Sequence, residues 1–181
     1  ILTYGKLLKG FRAYLGIKDG FNTALVLGSR SYFKPITEKD SIKKMSSLPY
    51  TKCKLFIPKI SKLKVDSVLD KTKLDVYKGP EYKLLKDTQL AQLFYREFTV
   101  ANENNRMAYQ LNELIEGNKV SMLTSATLPG TIQLTPAGKL IILMKDGQTT
   151  GGYPRILQLS DMAMSILAQK RSGDHISFKL K

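Results

Sequence analysis

Short apolar stretches separated by turn residues dominate this chain, and few of them have the spacing of a helix. Alternation of apolar and polar residues predicts strands at Arg12–Ile17, Phe94–Val100 and Ile176–Leu180. The first of these strands ends at Lys18-Asp19-Gly20, a sequence typical of a tight hairpin turn. The pattern therefore predicts a chain rich in short strands.

Three further strands are predicted from short apolar or apolar-rich stretches, two of which end at turn residues. Ala24–Leu27 is closed by Gly28, and Leu74–Tyr77 runs into the breaker pair Gly79-Pro80. Lys139–Lys145 contains the longest apolar run of the chain and has the composition of a buried strand. Many short strands with scattered turns favour a mainly β protein, built as a barrel with minor helices.

One helix is predicted late in the chain, at Asp161–Lys170. Ser160 has the side chain of an N-cap residue, Asp161 suits the positive end of the helix dipole, and Gly173 follows the predicted end. Its apolar stripe consists of Met162, Ala163, Ile166 and Leu167.

Positive charge is concentrated in the first part of the chain. The 181 residues include 29 Lys+Arg and 15 Asp+Glu, for a formal net charge of +14. Residues 1–73 hold 16 basic and 5 acidic residues, and residues 74–181 hold 13 and 10. The densest stretch, Lys34–Lys64, lacks the arginines that read nucleic acids, so it favours a solvated lysine-rich surface over nucleic-acid binding. We predict a subdomain boundary near residue 73.

Cysteine usage and hydropathy restrict the cellular setting. The single cysteine, Cys53, excludes an internal disulfide framework and a multi-cysteine zinc site, which favours a reducing compartment and a cytoplasmic protein. The longest apolar run is far shorter than the roughly 20 residues of a membrane span. Because the chain opens with Ile1 rather than Met and shows no signal pattern, we expect a fragment or a processed chain.

No familiar catalytic motif is visible, and we assign neither a metal site nor a catalytic residue. His175 lies on an alternating strand where a solvated histidine is expected, and Cys53 between two lysines is interpreted as an incidental thiol. Gly138-Lys139-Leu140 lacks the Ser/Thr and the upstream glycine of a phosphate-binding loop.

The segment Asp146–Arg155 is longer and more polar than a turn requires. Its glycines allow close approach of backbone N–H groups to a ligand oxygen, its hydroxyl and amide groups suit an amide, and Arg155 suits a carboxylate, carbonate or phosphate. The alternative is a structural hairpin with Tyr153 packed beneath it. The candidate substrate-binding residues are Gln148, Thr149, Thr150, Gly151, Gly152, Tyr153 and Arg155.

Several motifs occur along the chain in an order typical of one family. Pro129–Gln133, Leu140–Met144 and Gln148–Ile156 closely resemble the signature of the allophanate hydrolase subunit 2 family. This family is also described as the biotin-dependent carboxyltransferase A/B-subdomain family, and it includes the C subunit of bacterial 5-oxoprolinase. Further collinear matches are Phe11–Leu15 with Gly20, Leu27–Ser31, Tyr77–Pro80, Asn105–Tyr109, and Ala168–Arg171 with Gly173 and Asp174.

The resemblance implies an architecture of cyclophilin-like β-barrel subdomains. Residues 1–73 would form the C-terminal part of a first subdomain, including the lysine-rich segment, and residues 74–181 would form a second. In a typical member, roughly the first third of the chain precedes the position of Ile1.

The resemblance also implies a function within a complex. A 5-oxoprolinase-type amidohydrolase opens 5-oxo-L-proline to L-glutamate, using ATP at the level of the complex. The C subunit works beside an allophanate hydrolase subunit 1-like partner, which is the 5-oxoprolinase B subunit, and beside the 5-oxoprolinase A subunit. The alternatives are transfer of a carboxyl group from carboxybiotin to urea or a similar amide, the only reading that involves biotin, and non-catalytic regulation of a histidine kinase pathway. If the segment Gln148–Arg155 is a binding site, Gln148 and Thr149 orient the amide, and Arg30 and Arg106 converge with Arg155 on one cleft.

Overall fold

The structure, a computed structural model, divides into two compact units. It describes residues 5, 7–43, 47–55, 57, 68–117, 119–120 and 122–181. One unit comprises Ile1–Arg12 with Val65–Lys181, and the other comprises Ala13–Lys64. Part of the predicted lysine-rich surface, including Lys44, Lys59, Lys62 and Lys64, lies outside the described residues. The assignment of residues 1–73 and 74–181 to two family subdomains stays a prediction.

The larger unit consists mainly of strands. The strands are β1 (Lys73–Lys78), β2 (Phe98–Asn104), β3 (Ala108–Leu111), β4 (Ser125–Ala126), β5 (Thr131–Leu134), β6 (Leu140–Leu143), β7 (Thr150–Gly151), β8 (Arg155–Leu159) and β9 (His175–Leu180). The α-helices are α1 (Asp87–Phe94) and α2 (Asp161–Leu167), and single 3-10 turns lie at Val68–Asp70 and Tyr82–Leu84. Among the residues described, no helix has the length and apolar character needed to cross a membrane.

Seven of these strands close into a barrel. Their order is β1-β8-β5-β6-β3-β2-β9, and a parallel pairing of β1 with β9 completes the circle. The other neighbours in the barrel are antiparallel. Strands β4 and β7 lie apart from the barrel sheet as a two-stranded antiparallel ribbon. The closed barrel confirms the prediction of a mainly β protein with minor helices.

The core is formed largely by buried side chains of the barrel strands. Residues at alternate positions of β1 and β9 are buried because successive side chains of a strand point to opposite faces. The rings of Phe98 and Phe178 pack with their centroids 5.4 Å apart. Other buried members of this core are Leu74, Val76, Val100, Tyr109, Leu111, Ile132, Leu134, Leu140, Ile142, Ile156, Leu157, Leu159 and Ile176.

Helix α2 begins as predicted and ends earlier. The Ser160 hydroxyl accepts a hydrogen bond from the Ala163 backbone N–H at 3.2 Å, which confirms Ser160 as the N-cap. The helix buries Ala163, Met164, Ile166 and Leu167 and stops at Leu167 instead of Lys170. Its end coincides with a turn in which the Lys170 N–H donates to the Leu167 carbonyl.

The predicted strand Phe94–Val100 is wrong in its first half. Phe94 is the last residue of α1, and β2 begins only at Phe98. A buried glutamine organises this helix: Gln89 Oε1 accepts from the Lys86 N–H at 2.9 Å, and its Nε2 donates to the Glu116 carbonyl at 2.8 Å. Gln89 and Glu116 are far apart in the sequence, so the hydrogen bond between them forms only in the folded chain. The local pattern of apolar and polar residues therefore did not reveal the helix.

The two strands predicted before residue 28 do not form. Arg12–Ile17 and Ala24–Leu27 carry no strand pairing apart from a single bridge between Val26 and Ser29. The predicted turn is present, because the Gly20 N–H donates to the Ile17 carbonyl at 2.9 Å. A strand-like pattern along the chain does not provide a neighbouring strand to hydrogen-bond with, and a strand without such a neighbour is not stable in water.

Candidate functional site

The segment that the sequence singled out lies between β6 and β8 and includes the ribbon strand β7. Thr150 and Gly151 pair with Ala126 and Ser125 of β4. The buried Thr127 extends this attachment: its hydroxyl donates to the Gln148 carbonyl at 2.6 Å, and its N–H donates to the Thr149 carbonyl at 2.9 Å. The segment is therefore an ordered, backbone-anchored structure.

Most of the candidate binding side chains of this segment are exposed. Gln148, Thr149 and Thr150 face solvent, and Gly151 is half-buried. Tyr153 is 42% exposed, so it is not packed beneath the segment as the structural alternative required. The exposed groups are the amide and hydroxyls that we expected to contact an amide ligand.

Arg155 binds a carboxylate, and this carboxylate belongs to the protein. Its Nε and Nη2 donate to the two carboxylate oxygens of Glu81 at 2.9 and 2.7 Å, and its Nη1 donates to the Ala126 carbonyl at 2.6 Å. The Arg155 and Glu81 side chains are only 18% and 14% exposed. The planar guanidinium thus joins the β4–β7 ribbon to the residues that follow β1.

Backbone hydrogen bonds also connect Glu81 and Arg155. The Glu81 N–H donates to the Arg155 carbonyl, and the Arg155 N–H donates to Glu81 Oε2 at 2.9 Å. Gly79 lies so close to the Arg155 carbonyl that a Cβ at position 79 would overlap it. The motif Tyr77–Pro80 and the motif Gln148–Ile156 therefore meet at one place in the structure, and glycine is required for their approach.

Hydrogen bonds from Arg155 lower the pKa of the Glu81 carboxyl below its ordinary value and outweigh the opposing effect of burial. The same pair raises the pKa of Arg155. Both groups are charged at neutral pH, and their charges compensate each other.

The other two candidate site arginines, Arg30 and Arg106, have partners of their own. Arg106 lies between β2 and β3, where its Nε forms a 2.9 Å ion pair with Asp146 at the exposed surface. Arg30 belongs to the unit Ala13–Lys64, and its guanidinium donates to the Thr23 carbonyl while the Thr23 hydroxyl donates to the Arg30 carbonyl. The convergence of Arg30 and Arg106 on a cleft with Arg155 stays a prediction.

A buried glutamine on β5 was not among the predicted site residues. Gln133 is 1% exposed, and its Nε2 has no hydrogen-bond partner among the residues described. It is the register partner of Arg155 across β5 and β8, at a position where the register shifts. The signal in the sequence was a lone amide between Ile132 and Leu134, inside an apolar strand.

Two further features bear on the chemistry of the site. Gly138-Lys139 lies in the turn between β5 and β6, and Lys139 Nζ donates to Gln110 Oε1 at 2.9 Å. In the described part of the chain, no group of three or more His, Cys, Asp or Glu side chains is arranged to hold a metal ion.

Sequence comparisons relate the chain to carboxyltransferase domains and to components of 5-oxoprolinase. The family described as "carboxyltransferase domain, subdomain A and B" matches residues 1–180. The 5-oxoprolinase C subunit of Escherichia coli (strain K12) is 32% identical over 184 residues, which cover 98% of this chain and 58% of the relative. The 5-oxoprolinase C subunit of Haemophilus influenzae is 37% identical over 101 residues, 55% of this chain and 33% of the relative.

Structural comparisons agree on the fold. The crystal structure of TTHA0988 superimposes with a TM-score of 0.61 and 22% identity over 73% of this chain and 26% of that chain. The urea carboxylase of Kluyveromyces lactis superimposes with a TM-score of 0.53 and 21% identity over 59% of this chain and 10% of that chain. At these identities the likeness concerns architecture alone. The chain spans less than two thirds of the length of these relatives and structures.

Proposed function

The chain belongs to the family of carboxyltransferase domains, subdomain A and B, and from this membership we propose that it is part of the C subunit of a 5-oxoprolinase-type amidohydrolase. The observation that carries the proposal is the 32% identity to a 5-oxoprolinase C subunit along 98% of this chain. The reaction opens the lactam of 5-oxo-L-proline to L-glutamate, with ATP used at the level of the complex.

The chemistry of the β6–β8 segment supports an amide ligand. Gln148, Thr149 and Thr150 offer neutral donors and acceptors that are open to solvent. The charges of Arg155 and Glu81 compensate each other, so this pair does not favour an anion over a neutral molecule. The lactam group of 5-oxo-L-proline is planar and uncharged, and this part of the substrate suits such surroundings.

We propose that this chain contributes substrate binding and that the chemical step needs partner proteins. The partners are an allophanate hydrolase subunit 1-like protein, equivalent to the 5-oxoprolinase B subunit, and the 5-oxoprolinase A subunit. A cytoplasmic setting suits the single free cysteine, Cys53.

Reconstitution of the full-length protein with its partner subunits tests the proposal. We expect glutamate release from 5-oxo-L-proline that requires ATP and is lost when the C subunit is omitted. Release that is unchanged without the C subunit would contradict the proposal, as would a fully assembled complex with no turnover.

Carboxyl transfer to urea is the enzymatic alternative. The family is described as a carboxyltransferase domain, so the test includes this reaction. The same complex is therefore assayed with urea, bicarbonate, ATP and a biotinylated carrier. Carboxylation of urea without glutamate release would select the alternative. Absence of both activities, together with an effect on histidine kinase autophosphorylation, would select the regulatory role.

A further inference from the structure

The amide of Gln133 differs from those of two other glutamines, the buried Gln89 and the half-buried Gln158. Gln89, also 1% exposed, has both amide atoms hydrogen-bonded, and Gln158 accepts from the Thr131 hydroxyl at 3.0 Å and donates to the Pro129 carbonyl at 2.8 Å. Gln133 Nε2 is enclosed without a partner among the described residues. Burial of a donor without an acceptor is unfavourable, so such a group calls for an explanation beyond packing.

The unpartnered nitrogen lies directly beneath the ribbon. A Cβ built on Gly151 would lie 2.5 Å from Gln133 Nε2 and 2.8 Å from Gln148 Nε2. The amide groups of Gln133 and Gln148 therefore approach the same backbone position, one from the buried strand β5 and one from the exposed segment. Only glycine at 151 leaves room for both.

The charges around this position do not favour an anion. Arg155, the register partner of Gln133, has Nε and Nη2 engaged by Glu81 and Nη1 engaged by the Ala126 carbonyl. The hydroxyl of Thr127 is likewise engaged, since it donates to the Gln148 carbonyl. The available donors are those of neutral amides, which match a carbonyl oxygen better than a carboxylate.

We propose that Gln133 is a substrate-binding residue, whose Nε2 donates to the carbonyl oxygen of a small planar lactam while Gln148 contacts the same amide from the solvent side. This inference rests on the proposed function and identifies Gln133 as a buried residue that holds the substrate. Because Gly151 covers Gln133 Nε2, binding displaces the Thr150–Gly151 strand from its position over β5. The lactam then provides the acceptor that Gln133 lacks.

The experiment measures lactam binding to the full-length protein in complex with its partner subunits. Isothermal titration calorimetry with 5-oxo-L-proline and with 2-pyrrolidone, a lactam without a carboxylate, is performed on the wild type and on Gln133→Leu. The partner subunits alone provide the baseline. Gln158→Leu is the matched control, because it removes a glutamine amide from the neighbouring strand whose hydrogen bonds are already made.

We expect Gln133→Leu to bind both lactams about tenfold more weakly, the size of one lost hydrogen bond, with an unchanged or higher melting temperature. Gln158→Leu is expected to lower the melting temperature and leave lactam binding unchanged. Wild-type affinity in Gln133→Leu would overturn the inference, as would the absence of 2-pyrrolidone binding to the wild type.

Two further outcomes separate the inference from its premises. If the Gln133→Leu protein does not fold, the measurement is repeated with Gln133→Met, which keeps the length of the side chain. Failure of both variants to fold would show that the amide has a structural partner and would overturn the inference. Lactam binding that depends on Gln133, in a complex without turnover, would contradict the proposed reaction and leave the inference standing.

Discussion

Arg155 and Glu81, which are 74 positions apart in the sequence, form an ion pair in which two guanidinium nitrogens donate to the two carboxylate oxygens. The pair is mostly enclosed, and its third guanidinium nitrogen holds the β4–β7 ribbon through the Ala126 carbonyl. Arg155, which the sequence analysis proposed as the charged ligand-binding group, therefore connects the β4–β7 ribbon to the barrel strand β8.

Replacement of Arg155 by Lys should destabilise the protein. Lysine keeps the charge but loses the planar fork, so we expect the free energy of unfolding to fall by about 2 kcal/mol. At roughly 2–4 °C per kcal/mol for a domain of this size, the melting temperature should fall by several degrees. Thermal denaturation of Arg155→Lys, Glu81→Gln and the double variant measures the effect. Additive losses in the double variant would argue against the pairing.

Stability should depend on pH through Glu81. Arg155 holds the pKa of Glu81 below the ordinary value of about 4.5, so the folded state binds this proton less readily than the unfolded state. The resulting stabilisation is fully present above pH 4.5 and is lost as the pH falls towards the pKa of the folded state. Melting temperatures between pH 7 and pH 3 should therefore converge for the wild type and Glu81→Gln. A constant difference across this range would contradict the assignment.

A side chain at position 79 should be poorly tolerated. The Cβ of Gly79→Ala would overlap the Arg155 backbone carbonyl, which cannot move without breaking the β1–β8 contact. We expect a loss of about 3 kcal/mol in the free energy of unfolding, measured by urea denaturation. Gly16→Ala is the control: a Cβ there has no atom within 4 Å, so stability should stay within about 0.5 kcal/mol. Equal stability of the two variants would refute the close approach at Gly79.

Adjacent glycines of the ribbon should respond differently to alanine. In Gly151→Ala the new methyl group meets the side-chain nitrogens of Gln133 and Gln148, and Gln133 is too enclosed to swing away freely. We expect a loss of about 1–2 kcal/mol in the free energy of unfolding. In Gly152→Ala the nearest atom is the Met122 carbonyl oxygen at 3.9 Å, so this variant should keep the stability of the wild type. Thermal denaturation and calorimetry on the pair check the prediction, and an unaffected Gly151→Ala would exclude the crowding inferred there.

The sequence reveals those elements whose stability is local. The buried strand β6, the alternating strand β9 and the cap of α2 by Ser160 are all visible in the pattern, because side-chain alternation and N-cap chemistry act over a few residues. The closed barrel follows from the abundance of such strands. The same reasoning failed at Arg12–Ile17, which alternates, and at Ala24–Leu27, which is continuously apolar, because neither has a partner strand among the described residues.

The sequence by itself determined the mainly β class, the barrel strands β1, β6 and β9, and the polar segment Gln148–Arg155 as the place to look for a site. Only the tertiary structure decided that Arg155 is neutralised by Glu81 and that Gln133 lies unpartnered, among the described residues, beneath Gly151. The physical reason is distance along the chain. Hydrogen bonds and ion pairs between remote residues depend on how the barrel closes, and local patterns contain no information on which distant side chains that closure brings together.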